Sequence, residues 1–364
     1  MKILLLGEYS NVHWTLAEGL RALGHKVTVV SGGDYWKNYP RDISLVRRPG
    51  KLGGMAYMAR LLQLLPRLRG YDVVQLINPL FLDLKAERIA PVYRYLRRHN
   101  GRMVLGAFGM DYYWVHTCCT DKPLRYSDFN LGSQLRTNAD ALSERADWLG
   151  TAKARLNQQM ADEADAIVCG LYEYWVCYQP HFPQKTTYIP FPIKQKMQPE
   201  ELTPHTGPLK LFIGINKTRS QYKGTDIMLS AAQEVVSRHP DKVELRVAES
   251  VPFAQYVEML NGSDAILDQL YSYTPAMNAL EAMSRGIITV GGGEPECYEL
   301  LGERELRPIV NVLPTRESVV EALEELALHP ERIDLLKRQG LKFIARHHSH
   351  IRVAEAYQRL YQRA

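Results

Sequence analysis

The chain has 364 residues, 46% hydrophobic and 23% charged, with a net charge of +5. This is the balance of a globular protein with enough apolar material for two cores. The small positive charge and the absence of an RNA- or DNA-binding motif argue against nucleic acid, no apolar run is long enough to span a bilayer, and five cysteines without metal-type spacing or a signal peptide before them read as reduced thiols in the cytoplasm.

Met1–Gly7 reads as a buried strand, Asn11–Leu23 as an amphipathic helix and Lys26–Val30 as a second strand. This β-α-β opening places the loop Gly7–His13 at the carboxyl edge of a sheet, where open α/β folds bind ligands. The loop, GEYSNVH, has one glycine where a dinucleotide fingerprint needs three, which argues against a hydride-transferring enzyme. His13, at the helix start, either makes a local bond or offers its ring to a ligand.

Ile43–Arg48 follows as a strand. Lys51–Arg69 is an apolar helix with interspersed arginines. It either covers the sheet with its basic side in solvent or lies on an anionic membrane surface. Tyr71–Ile77 and Arg102–Leu105 are strands, separated by a basic helix over Pro91–Asn100. Tyr112–Trp148 reads as a long irregular stretch rich in aromatic residues. Such stretches are usually functional, and these rings suit a sugar or a lipid tail, or pack as a small cluster under a loop. Helices over Leu156–Glu163 and Tyr172–Gln179 and strands over Ala166–Cys169 and Thr186–Ile189 complete a first domain, residues 1–195. Phe191–Pro208, rich in proline and polar residues, reads as the linker.

A second domain, residues 206–346, opens on the strand Lys210–Ile215. The loop NKTRSQYKG and the helix Thr225–Arg238 follow. Lys223, with Lys217 or Arg219, places cations at the end of a strand, where they either clamp a diphosphate or face solvent. Val243–Ala248 is a strand and Pro252–Leu260 a helix. Later come the strand Pro308–Leu313, helices over Glu317–Ala327 and Glu331–Ala345, and a terminal helix, Ile351–Arg363. His347, His348 and His350 read as a surface cluster, because no carboxylate or cysteine stands at metal-ligand spacing.

The densest pattern lies between Asp264 and Glu299. Asp264–Leu270 is a short strand, and Tyr271–Tyr273 a turn. Thr274 suits an N-cap and Pro275 the first helical position. A helix over Pro275–Ser284 would close on Gly286, and Ile287–Val290 returns as a strand. Unbonded amides of Ala276, Met277 and Asn278 at that helix start would favour a phosphate. Glu281 stands alone among Ala279, Leu280, Ala282 and Met283. Its carboxylate needs a partner if buried, which a ribose diol would supply; otherwise it lies on a solvated face or forms a salt bridge. GGGEPECYE then turns into a helix near Pro295.

This stretch resembles the donor-binding motif of two-domain glycosyltransferases with the GT-B fold, especially the retaining, family 4-like group of bacterial polysaccharide and lipopolysaccharide enzymes. Glu281, with Ala282, Met283 and Gly286 behind it, matches the second of the motif's two glutamates. Tyr273 stands where the first is expected, so that residue's contact with the donor sugar is not carried over. Lys223-Gly224 matches the Lys-Gly of the family's other phosphate loop. The resemblance implies two doubly wound, Rossmann-like α/β domains facing a cleft, with residues 347–364 crossing back to the first. A nucleoside-diphosphate sugar would bind the second domain: Glu281 on the ribose, and Thr274, Ala276, Met277, Asn278, Lys223 and Lys217 or Arg219 around the diphosphate. The glycine-rich turn would border the sugar, with Glu294, Glu296 or Glu299 on a sugar hydroxyl or serving as helix-start caps. The Gly7 loop would approach the donor phosphates and the acceptor through Glu8, Asn11 and His13.

The family's catalytic loop carries a histidine followed by Gly and Asp. Gly109 and Asp111 fit that pattern, Ala107 and Phe108 replace the histidine, and His116 lies a few residues on. Asp111 would take sugar hydroxyls. The acceptor would be a glycan or a lipid-linked sugar, with the enzyme at the inner face of the membrane and no cofactor or metal beyond the donor. A same-fold epimerase or hydrolase is one alternative. A non-catalytic sugar-nucleotide-binding scaffold is another, favoured by the loss of the first glutamate and of the loop histidine.

Overall fold

The computed structural model describes residues 1–215, 220–249 and 251–363, without the side chains of Phe253 and Ala254. Two parallel sheets organise the chain. The first is built from β1 (Lys2–Leu6), β2 (Lys26–Ser31), β3 (Ile43–Ser44), β4 (Val73–Leu76) and β5 (Arg102–Ala107). An excursion then carries the short hairpin β6 (Asn130–Leu131) and β7 (Gln134–Leu135), after which β8 (Ala166–Cys169) and β9 (Thr186–Tyr188) complete the sheet. Its order is β3-β2-β1-β4-β5-β8-β9, and all its pairs are parallel. The order reverses between β1 and β4. Such a switch opens a crevice at the carboxyl ends of the strands, which is where doubly wound folds place their ligands.

The second sheet contains β10 (Leu209–Ile215), β11 (Val243–Glu249), β12 (Ala265–Leu267), β13 (Ile288–Gly291) and β14 (Val310–Asn311), in the order β11-β10-β12-β13-β14. Its switch lies between β10 and β12. Leu211 and Ile213 pack into one buried cluster with Ala265, Leu267, Ile288 and Val290. Phe212 and Ile266 pack into another with Ala248, Ala282 and Ile287. Both faces of the sheet are therefore apolar and covered by helices, the usual state of a parallel sheet.

The chain divides into two units. One comprises Met1–Thr117, Arg145–Pro192 and His350–Ala364; the other comprises Cys118–Glu144 and Ile193–Ser349. Two expectations change. Tyr112–Trp148 is not irregular: helices over Tyr112–Thr120 and Ala139–Trp148 flank the hairpin, and the segment between them belongs to the second unit although it lies within the first half of the sequence. Nor is the proline-rich stretch after Phe191 a free linker. The Ile193 amide donates to the His348 carbonyl at 2.7 Å, and the amides of Lys196 and Met197 share the Ser284 carbonyl at 3.1 Å.

The terminal helix, His350–Arg363, lies along the helix Val12–Ala22 in the first unit. The backbone of Gly19 approaches so closely that a Cβ there would lie 2.3 Å from the His350 carbonyl oxygen. The Tyr361 hydroxyl donates to Gln75 on β4 at 2.6 Å. The histidines before this helix are not a surface cluster. His348 is buried, and the His347 Nε2 lies 2.6 Å from a Glu303 carboxylate oxygen.

Candidate functional site

In the second unit, β10 leads through residues 216–219 to a short helix, Ser220–Lys223. Lys217 and Arg219 lie outside the described residues. Gly224 follows with φ +72°, and a Cβ there would meet the Leu270 Cβ at 2.6 Å. Only glycine satisfies both that left-handed backbone and that contact. The Lys223 carbonyl accepts the Leu270 amide at 3.0 Å, so the loop after β10 is tied to the loop after β12 at the switch point.

Asp268 follows β12 directly and is buried. Its Oδ1 accepts the Asn278 amide Nδ2–H at 2.9 Å, and the Asn278 Oδ1 accepts the Tyr256 hydroxyl at 2.9 Å. Burial raises the Asp268 pKa, with the charge of Lys223 and the Asn278 hydrogen bond acting against it. A carboxylate, an amide and a lysine thus converge where the sheet order reverses. Asp268 and Tyr256 were missed from sequence, because each gains its meaning from the Asn278 side chain between them.

The helix expected from Pro275 begins later and spans Met277–Met283, with Ala276 as an extended N-cap that makes no side-chain bond. Its first turn is closed by the Leu280 amide donating to the Ala276 carbonyl at 3.0 Å. Thr274 is not the cap: its side chain is buried, and its carbonyl accepts the Ser272 hydroxyl at 2.6 Å. Asn278 turns its side chain to Asp268 and Tyr256, while the amides of Met277 and Asn278 head the helix. Glu281 is half-exposed and paired with Arg285 one turn on, Oε1 to Nη2 at 2.7 Å and to Nε at 3.1 Å. This is the salt bridge, one of the readings open from sequence.

Glu294 is turned to protein partners. It is buried as the N-cap residue of the helix Pro295–Leu301. Its Oε2 lies 2.8 Å from the Arg125 Nη2, and its Oε1 accepts the Tyr126 hydroxyl. Both oxygens are engaged by the excursion, so a sugar hydroxyl would have to displace one of these bonds. Arg125 also pairs with Glu296. Burial alone would raise the Glu296 pKa, but the hydrogen bond and charge of Arg125 hold it below the ordinary range. The same guanidinium lies 5.0 Å over the Tyr273 ring, and the Tyr273 hydroxyl oxygen accepts the Arg125 amide at 2.7 Å. Further along the excursion, Arg136 donates to the Gln221 carbonyl at 2.7 Å and lies 3.7 Å over the Tyr271 ring, and Asp128 accepts the Tyr222 hydroxyl at 2.6 Å.

In the first unit, the loop after β1 is held from within. The two Glu8 oxygens accept the amides of His13 and Trp14 at 3.2 and 2.9 Å, closing the first turn of the helix Val12–Ala22. Burial lifts the Glu8 pKa to about 8 in spite of those bonds. His13 is fully buried, and burial holds its pKa down at about 3, so the ring is neutral. Its Nδ1 donates to the Gly7 carbonyl at 2.8 Å, and its Nε2 accepts from the Gln75 amide at 3.2 Å. This is the local bond rather than a ligand contact. Asn11, with φ +68°, keeps a buried Oδ1 that has no hydrogen-bond partner among the described residues.

Asp111 is also turned inward. It accepts the Trp114 amide at 2.9 Å, capping the helix Tyr112–Thr120, and the Tyr178 hydroxyl at 2.7 Å. Burial pushes its pKa up to about 7. Its oxygens serve the fold and not a sugar hydroxyl. His116 stacks on Tyr112 with ring centres 5.0 Å apart. Among the described residues, no group of three His, Cys, Asp or Glu side chains is placed to hold a metal ion.

Residues 218–359 match the family model described as "Glycosyl transferase-like". The match covers most of the second unit and the start of the terminal helix, and the two Rossmann-like halves have the GT-B fold. Sucrose-phosphate synthase from Thermosynechococcus elongatus superposes with a TM-score of 0.63 at 14% identity, covering 100% of this chain and 98% of that one. HepE from Anabaena, solved with UDP and glucose, gives a TM-score of 0.60 at 11% identity over 100% of both chains. UDP-GlcNAc 2-epimerase from Neisseria meningitidis, bound to UDP-GlcNAc, gives 0.56 at 12% identity over 100% of both. At such identities the likeness is one of fold. No curated protein sequence matches the chain.

Proposed function

We propose that the protein is a glycosyltransferase that moves a sugar, with retention, from a nucleoside-diphosphate sugar to a glycan or lipid-linked acceptor at a membrane surface, in polysaccharide or glycolipid synthesis. The observation that carries this reading is one of place. The glycosyltransferase-like match begins just after β10 and includes Lys223, Asp268 and Asn278, which meet beside the switch point of the second sheet, with Glu281 one turn further along the helix that carries Asn278. Negative charge grows on the departing diphosphate, and fixed donors and cations aimed at it lower the barrier. Lys223 and the amides heading the helix Met277–Met283 are the groups for that task. The Glu281–Arg285 pair is half-exposed and of a kind worth only about 0.3–0.5 kcal/mol. A ribose diol donating two hydrogen bonds can displace it. The chemistry needs no cofactor beyond the donor.

The test is calorimetric titration of UDP, GDP and ADP into the wild type, Lys223→Ala and Glu281→Ala, together with an assay on a panel of nucleotide sugars. Lys223→Ala should weaken the preferred nucleotide by about tenfold, or about 1.4 kcal/mol. Unchanged affinity in both variants removes the site. Sugar inversion without transfer identifies an epimerase, diphosphate release without an acceptor a hydrolase, and binding without turnover a scaffold.

A further inference from the structure

Among the described residues, twelve large apolar side chains are strongly exposed, and six of them fall in one short part of the first unit: Tyr35, Trp36, Val46, Leu52, Met55 and Leu62. Three belong to the helix Gly50–Leu64. That helix buries Tyr57, Leu61 and Leu64. At 3.6 residues per turn, Leu52, Met55, Ala59 and Leu62 lie on the diametrically opposite side. A helix apolar on both sides is normally covered on both; here Leu52 is 80% and Met55 69% exposed.

Tyr35, and Arg47 beside Val46, are fixed to the same corner through Asp83. The Asp83 amide donates to the Tyr57 hydroxyl at 3.2 Å, its carboxylate accepts the Tyr35 hydroxyl at 3.4 Å, and its carbonyl accepts Arg47 Nη1 at 3.1 Å. Asp83 and Asp34 lie by the Tyr35 turn, whereas the charge along the helix and its flanks has one sign. Between Ile43 and Tyr71 the sequence holds six cations, Arg47, Arg48, Lys51, Arg60, Arg67 and Arg69, and no carboxylate. All six are exposed.

We propose that this corner docks on an anionic lipid surface, with the outer face of the helix Gly50–Leu64 and the Tyr35–Trp36 turn entering the headgroup boundary and the arginines binding lipid phosphates. The inference deepens the proposed action on a lipid-linked acceptor by naming the surface that meets the membrane. A protein partner fits less well, because the cores of protein interfaces are depleted of charge, whereas an apolar stripe ringed by cations is the pattern of an interfacial helix. Tryptophan and tyrosine at its edge suit the headgroup region.

The experiment is sedimentation of the full chain with vesicles of phosphatidylcholine alone or mixed with phosphatidylglycerol, at two salt concentrations, while following tryptophan emission. Binding should favour the anionic vesicles by on the order of tenfold or more, weaken with salt, and shift the emission to the blue, with the shift lost in Trp36→Phe. Leu52→Glu/Met55→Glu, both on the exposed face, should abolish binding; Arg48→Gln/Lys51→Gln should weaken it on anionic vesicles only. Nucleotide affinity is measured in the same variants and should not change. Equal binding to both vesicle types, or full retention by the Leu52→Glu/Met55→Glu variant, overturns the proposal. So does a dimer that this variant dissociates, in a wild type that ignores both vesicles. A protein that binds nucleotide but no vesicle sinks this surface alone and leaves the transferase reading standing.

Discussion

The guanidinium of Arg125 lies 2.8 Å from the Glu294 Oε2, although 169 positions separate the two residues. With the Tyr126 hydroxyl on the other oxygen, this pair fixes the excursion to the glycine-rich turn after β13. Arg136 and Asp128 fix it in turn to the helix Ser220–Lys223. The excursion thus joins the loops that follow β10, β12 and β13, and any donor bound there would share those loops with it.

Removing Arg125 strips the countercharge from a carboxylate that is 5% exposed in its side chain. Arg125 is itself half-exposed, so the cost belongs at the lower end of the usual range for an unpaired buried acceptor, about 1–2 kcal/mol. Arg125→Ala should lower the urea midpoint and speed hydrogen exchange of the amides between residues 125 and 136. Wild-type exchange in that segment would show that the pair holds nothing.

Stability of the first unit should fall as pH rises. Glu8, with its pKa lifted from 4.5 to about 8, and Asp111, lifted from 3.8 to about 7, are both raised chiefly by burial. A carboxyl whose folded pKa lies above its unfolded one binds more protons when folded. Its contribution is fully present below the unfolded value, near 4, and is lost as pH climbs through 7 and 8. Glu8→Gln and Asp111→Asn should each flatten that slope in pH-dependent denaturation. Retention of the full slope in both variants would assign it elsewhere.

Gly19→Ala sets two effects against each other. In a helix interior alanine gains roughly 1 kcal/mol over glycine by propensity. Here the new methyl would lie 2.3 Å from the His350 carbonyl and 2.8 Å from the Ala354 Cβ, an overpacking of the kind that costs about 1–3 kcal/mol. The net sign should be destabilising, with faster exchange in the helix His350–Arg363. A more stable variant would mean the two helices sit further apart than described.

Asp268→Ala should act on donor binding through its neighbours. It removes the acceptor that orients Asn278 and the charge that faces Lys223. Nucleotide affinity should fall by about three- to tenfold, around 1 kcal/mol. Asp268→Asn, which keeps an oxygen acceptor for Asn278, should recover part of the loss. Equal loss in both variants would mean that only the charge matters.

Much of the architecture was legible because strand and helix periods are local signals. Ala166–Cys169 and Thr225–Arg238 appear with the boundaries read from sequence. The helix Ala86–His99 starts earlier than its reading because Pro91 sits inside it rather than at its first turn. The excursion was illegible for a different reason. Arg125 and Tyr126 find Glu294 and Tyr273 across about half the chain, and nothing in either neighbourhood names the other. The backbone of the candidate site was legible where a motif fixes it, as at Lys223-Gly224. Side-chain placement was less legible where a polar residue chooses between ligand and fold: the sequence leaves both open for His13 and Glu294 and assigns Asp111 to sugar hydroxyls, and burial turns each to an inner partner.

The terminal helix sets an order of events during synthesis. Gln75 waits for Tyr361, 286 positions later, and the helix Val12–Ala22 has no cover along Gly19 until residues 350–363 leave the ribosome. The first half of the protein therefore emerges with an apolar flank open, while the second unit can close its own sheet in the meantime. A nascent chain stalled short of His350 should be captured by chaperones through its first unit, and that unit should be protected last.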